Sequence, residues 1–231
     1  MGRFSEVLRS LNNLKLLAAV GRSGGELSNI ADLVDNFLGS PQMDDCIRRF
    51  RELPGGAALM DGRFPPLQPP IDRLEKLPSG TLGREYARLI LKLGYDPEFF
   101  RPRPIESDGQ WLTQRIATTH DVHHVISGFG TERAGETGVL AITAAQIGFP
   151  AYVLLTSASQ LANFRLKLEE FESISRATAH GYAIARQAHC LAIARWEEGW
   201  EKPISQWRQE LGIVDPADGE PYGLAQQLSE P

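Results

Sequence analysis

The chain has 231 residues, 42% of them hydrophobic and 23% charged, with a formal net charge of −5. That composition belongs to an ordinary globular protein and excludes a disordered or fibrous one; a core of this size folds without disulfides. The negative balance disfavours a nucleic-acid partner, and Cys46 and Cys190, far apart in sequence, fit no zinc or redox spacing and suit a reducing compartment.

Helical periodicity runs from end to end. Residues 1–20 read as a first helix: Glu6 comes early and no cleavage site follows, so neither a signal nor a transit peptide is expected. Ile30, Leu33, Val34, Phe37 and Leu38 form a three-and-four stripe closed by Gly39. Ser40 then caps a new helix with Pro41 in its first turn, and Pro54-Gly55-Gly56 ends it. Residues 62–80, with five prolines, predict an extended connection lying over the helices. Thr81 to Leu93 is helical, and a second proline-containing loop covers Gly94 to Glu106.

Ser107 to Gly128 is the expected central helix, with Ser107 and Gln110 as a capping box. Further helices are predicted over Gly135–Gly148, Ala151–Glu172, Ser175–Trp196 and Lys202–Leu211. No strand alternation and no repeat is visible. The expected fold class is all-α, a single multi-helix domain over 1–231 with proline-rich connections. The stretch Phe149–Phe164 carries Thr156, Ser157, Ser159, Gln160 and Asn163, and falls short of the ~20 apolar residues a membrane span requires.

Three of the five histidines lie in His120-Asp121-Val122-His123-His124. His120 and His124, four apart, project from one helix face and can grip one metal. Leu112 and Ile116 share their stripe, so that face is expected to be buried, where histidines need partners. Glu136 shares a stripe with Val139, Leu140, Thr143 and Ile147, a costly place for a carboxylate unless a cation neutralises it. Gly128, Gly130, Gly135 and Gly138 allow the two helices to approach closely. One divalent ion explains both features. On geometry alone Asp121 is either a ligand or an orienting carboxylate, and His123 points a quarter-turn away, as a supporting or surface group. Histidine with carboxylate suits zinc, iron or manganese over an all-oxygen magnesium site. A zincin needs Glu where Asp121 stands, and an HD phosphohydrolase needs a histidine before His120, where there is none.

His120-Asp121-x-x-His124 followed by eleven residues and Glu136 resembles the signature of the fourth coenzyme Q biosynthesis protein family. The run Gly80 to Tyr86, with Arg84 and Glu85, is similar to that family's upstream helix start. Thr137 to Pro150, Trp196 to Glu201 and Glu210 to Ile213 resemble its later segments, so the likeness covers about 25–213. The resemblance implies His120, Asp121, His124 and Glu136 as metal ligands, zinc first, with iron, manganese or magnesium as alternatives. It implies a peripheral membrane protein acting on polyprenylated ring intermediates of ubiquinone biosynthesis. The implied reaction removes the carboxylate at ring carbon one, coupled to hydroxylation there. The alternative is a non-catalytic isoprenoid-binding scaffold that organises the other quinone biosynthesis enzymes. Arg84, Glu85 and Tyr86 are candidates for orienting the substrate. A hydrophobic cavity for the isoprenoid tail is expected around the apolar Phe149–Phe164 and Ala177–Ala194 stretches, with Trp196, Trp200 and Trp207 as interfacial anchors. A homodimer and a bacterial, cytoplasmic location at the inner face of the plasma membrane complete the expectation.

Overall fold

A computed structural model of the chain describes residues 12–20, 27–94, 105–214 and 222–229. The first half of the helix expected over 1–20 and most of the Gly94–Glu106 loop lie outside the described residues. The helices, in order, are α1 (12–20), α2 (Leu27–Asp35), α3 (Pro41–Glu52), α4 (Gly56–Asp61), α5 (Ile71–Leu74) and α6 (Leu82–Leu93). Then come α7 (Asp108–Ser127), α8 (Arg133–Ile147), α9 (Pro150–Leu166), α10 (Leu168–Gln187), α11 (Ile204–Leu211) and α12 (Leu224–Ser229). Among the described residues no strand forms; Thr81 and Pro203 make an isolated antiparallel bridge. The all-α expectation holds.

The central helix α7 is buried over most of its length, and on every side from Asp121 to Ser127. Its first half, with Trp111, Leu112 and Ile116, packs into a cluster with Leu33, Met43, Phe50 and Met60. Its second half, with Val122, Val125 and Ile126, joins a second cluster with Leu82, Tyr86 and Leu89 of α6. His120 falls at the junction. Ser107 caps the helix by accepting from the Gln110 amide at 3.2 Å. The Gln110 side chain accepts instead from the Glu106 amide at 2.9 Å, one residue earlier than in the expected reciprocal box.

Several boundaries differ from the sequence reading. The helix expected to end at Glu172 breaks at Lys167, with φ −147°, and α10 begins at Leu168. It then stops at Gln187 instead of running to Trp196. The reason is tertiary: the His189 amide donates to the Leu211 carbonyl and the Leu191 amide to Gln146 Oε1, drawing the chain into short 3-10 turns. Arg115, buried on α7, fastens those turns by pairing with Glu197 and donating to the Ala194 carbonyl at 2.6 Å. The Pro-rich connection contains the one-turn α5, and Gly56 starts α4 where only a stop is expected.

Trp196 and Trp207 are core residues, not interfacial anchors, and Trp200 is half-buried against the core. Trp196 and Trp207 are buried with ring centroids 4.8 Å apart, and Trp200 lies 5.3 Å from Tyr86. Along Ala177 and Gly181, α10 closes directly on α8, so the small residues there serve close packing. The apolar concavity in this region lies outside, a shallow groove of about 410 Å³ lined by Ser157, Gln160, Leu161, Phe164 and Phe171. No described helix is long and apolar enough to cross a membrane. Cys46 is buried and Cys190 half-buried, both free.

Candidate metal centre

α7 delivers His120 and His124 one turn apart, their rings 5.0 Å between centroids and nearly perpendicular. The chain leaves α7 at Gly128 and turns back tightly into α8; a Cβ on Gly135 would lie 2.1 Å from the Gly130 carbonyl oxygen. Glu132 caps α8, accepting from the Gly135 amide at 2.8 Å. Glu136 therefore sits in the first turn, where the helix dipole favours a carboxylate.

Its two oxygens meet the two imidazoles. His120 Nε2 lies 2.8 Å from one oxygen, His124 Nε2 lies 3.0 Å from the other, and the two nitrogens are 3.2 Å apart. The Nδ1–H of His124 donates to the Phe129 carbonyl at 3.1 Å. That turns its Nε2 toward a carboxylate oxygen. The donor atoms of three side chains converge on one point here. A divalent cation satisfies all of them at once. Among the described residues this triad is the group of side chains arranged to hold a metal ion.

Electrostatics follow from the same crowding. Burial works against a charge on His120, but the Glu136 carboxylate outweighs it and raises the imidazole to about 9. Burial likewise opposes ionisation of Glu136, yet the two histidines hold it well below the usual carboxylate range. Because the folded value of His120 is raised, the pair stabilises metal-free protein fully below about 6.5 and loses that contribution as pH rises through about 9. A metal must displace the same proton. Apparent zinc affinity is therefore expected to tighten about tenfold per pH unit between roughly pH 7 and 9. Titration against a competing chelator at several pH values checks this, and a flat profile would contradict it.

The structure brings together three of the four ligands that the resemblance implies. Asp121 stays outside the convergence: its carboxyl is buried, and burial raises its pKa against the pull of His120 and His124. Glu136 is half-exposed, with 41% of its side chain accessible, not fully buried as its stripe suggests. The site therefore has an open side. His123 is a buried core group 6.2 Å from the Trp196 ring, not a surface one, and burial pulls its pKa down. Arg84, Glu85 and Tyr86 serve the start of α6. The Arg84 amide donates to Thr81 Oγ1, Glu85 accepts from the Gly80 amide at 3.0 Å and pairs with Arg88, and Tyr86 packs on Trp200.

One neighbour of the triad is missing from the sequence reading. Tyr152 on α9 lies 6.0 Å from the His120 ring in edge geometry. The only signal for it is an aromatic just inside the proline that starts a helix otherwise rich in aliphatic and small residues.

Residues 27–217 match the family model described as coenzyme Q (ubiquinone) biosynthesis protein Coq4. The chain belongs to this family. The rat ubiquinone biosynthesis protein COQ4 homolog, named mitochondrial, is 29% identical over 213 residues, spanning 87% of this chain and 79% of that protein. The Eremothecium gossypii COQ4 protein, also named mitochondrial, is 34% identical over 152 residues, 64% of this chain and 46% of its own. A crystal structure from Nostoc punctiforme, whose name points to ubiquinone biosynthesis, superposes with a TM-score of 0.81 at 26% identity, covering 90% of this chain and 97% of that one. Coq4 membership places the chain in ubiquinone biosynthesis and accounts for the one-domain helical architecture.

Proposed function

We propose that this Coq4 protein is a metal-dependent enzyme that replaces the carboxylate at carbon one of a polyprenylated phenolic ring by a hydroxyl: the carboxylate leaves as carbon dioxide, water supplies the hydroxyl, and molecular oxygen takes the two electrons and leaves as hydrogen peroxide. One observation carries the reading: His120, His124 and Glu136 aim their donor atoms at one point while Glu136 keeps an open side. Three protein donors with a free position is a catalytic arrangement, whereas a structural ion closes its coordination. Zinc fits the donor set first, and iron or manganese fits it with redox chemistry added. When bound, the ion supplies Lewis-acid polarisation of the ring carboxylate or phenolate. His124, fixed by the Phe129 carbonyl, sets the geometry, and Asp121, buried beside the triad, leaves the fourth position to the substrate.

The tail requires an apolar surface. Val153, Leu161, Phe164 and Leu168 are exposed along the outer side of α9 and the start of α10, a face suited to peripheral contact with a membrane that holds prenyl lipid. That placement also suits hand-over between this protein and other enzymes of the pathway.

The test is to load purified protein with zinc, iron or manganese and supply a prenylated para-hydroxybenzoate labelled at its carboxyl carbon under oxygen. Release of labelled carbon dioxide with formation of the ring-hydroxylated product is expected for at least one metal. Full metal occupancy and lipid binding without release in any of the three would favour the scaffold.

A further inference from the structure

The helix α9 buries several polar side chains and exposes several large apolar ones, against the usual pattern of a surface helix. Its outer residues Val153, Leu161 and Phe164 are exposed, while Tyr152, Thr156 and Asn163 are buried. Tyr152, Thr156, Ser159 and Asn163 follow one another at four, three and four residues, which puts them on a single stripe.

Two contacts locate that stripe. At one end Tyr152 meets His120, and both the Glu136 and Asp121 charges act on its phenol. Further along, Ser159 Oγ lies 3.3 Å from Thr137 Oγ1, the residue after Glu136 on α8. Thr156 falls between these two contacts on the same stripe. Its Oγ1 is buried and has no hydrogen-bond partner. Three buried helical threonines spend their hydroxyls on the carbonyl four residues back, Thr119 on Arg115, Thr137 on Arg133 and Thr178 on Ile174, each at 2.8 Å; Thr113 on α7 shares the unpartnered state of Thr156. A buried hydroxyl left unused is costly unless a ligand takes it up. The Tyr152 ring is braced by Phe149 at 5.0 Å and by His120, so its hydroxyl is held in place.

We propose that Tyr152 and Thr156 are the specificity residues of the metal site, donating hydrogen bonds to the carboxylate of the substrate ring. The proposal rests on the substrate reading above and deepens it. Both groups are neutral donors in a site whose own carboxylates repel anions, so a bound ion draws the substrate carboxylate in and the two hydroxyls fix its orientation.

The experiment measures binding, with metal content as a second readout. Zinc-loaded wild type, Tyr152→Phe and Thr156→Val are titrated with para-hydroxybenzoate bearing a geranyl chain, and with its methyl ester. Tyr152→Phe is expected to weaken the acid about tenfold or more and Thr156→Val about fivefold, with zinc retained and the ester hardly affected. Unaltered affinity for the acid in either variant removes that residue from the site. Loss of zinc from Tyr152→Phe also overturns the proposal, since it would make the phenol a ligand. If zinc-loaded wild type binds neither acid nor ester, it is the substrate reading itself that fails.

Discussion

His124→Ala is expected to lower zinc affinity about a thousandfold, the largest effect of any single change at the site. A zinc held by four protein donors binds with roughly 10–16 kcal/mol of apparent free energy, so one donor accounts for about 3–4 kcal/mol, a factor of several hundred or more. His124 is the donor for which least compensation exists. It is buried, its ring is fixed by the Phe129 carbonyl, and its Nε2 faces Glu136 at 3.0 Å. Water can stand in for Glu136 on its half-exposed side, but nothing reaches the space behind His124. With zinc at about a hundred times the wild-type dissociation constant, binding adds about 2.7 kcal/mol to the stability of the wild type. That corresponds to a rise in Tm of about 5–10 °C for a chain of this size, and the variant should show almost none of it. Chelator competition and paired melts with and without zinc measure both effects. A folded variant that keeps stoichiometric zinc would remove His124 from the ligand set.

The site was more legible than its surroundings because its evidence is local. Two histidines four apart and a carboxylate on an apolar stripe state their geometry within one helix each, and the glycines between them announce the turn. What the spacing could not give was the depth of each residue. Glu136 reads as buried from its neighbours Val139, Thr143 and Ile147, yet its place in the first turn of α8 leaves it half-exposed. His123 reads as peripheral because it points away from the triad, and only the packing of Trp196 onto that side buries it. The helix ends signalled by glycine at Gly94, Gly128, Gly148 and Gly212 agree with the sequence, since each occupies the left-handed region that glycine favours. The break at Lys167 carries no proline or glycine. It exists because α10 must reverse to lie along α8, a demand set by residues far away in the chain. Tyr152 escaped for the same reason: its partner at the site, His120, comes from α7, far away in the chain.

Gly181→Ala is expected to lower stability by about 2 kcal/mol and zinc affinity about tenfold, although Gly181 touches no metal ligand. A Cβ there would lie 2.3 Å from the Gly138 carbonyl oxygen and 2.9 Å from the Ala141 Cβ. The nearer obstacle is backbone, which cannot rotate aside, so α10 and α8 must separate. Overpacking of this kind costs about 1–3 kcal/mol and sometimes more, against about 1 kcal/mol gained because alanine favours a helix over glycine. Gly138 is two residues beyond Glu136 on the same helix, so the displacement reaches the carboxylate. Its oxygens stand 2.8 and 3.0 Å from the two histidines, and a shift of a few tenths of an ångström spoils both distances together. Gly223→Ala is the matched control, because nothing lies within 4 Å of a Cβ at that position, and it should change neither property. A lowered Tm with unchanged zinc affinity would mean that α7 and α9, not α10, fix the position of Glu136. Unchanged values of both would mean that α8 and α10 pack less closely in solution than the 2.3 Å approach implies.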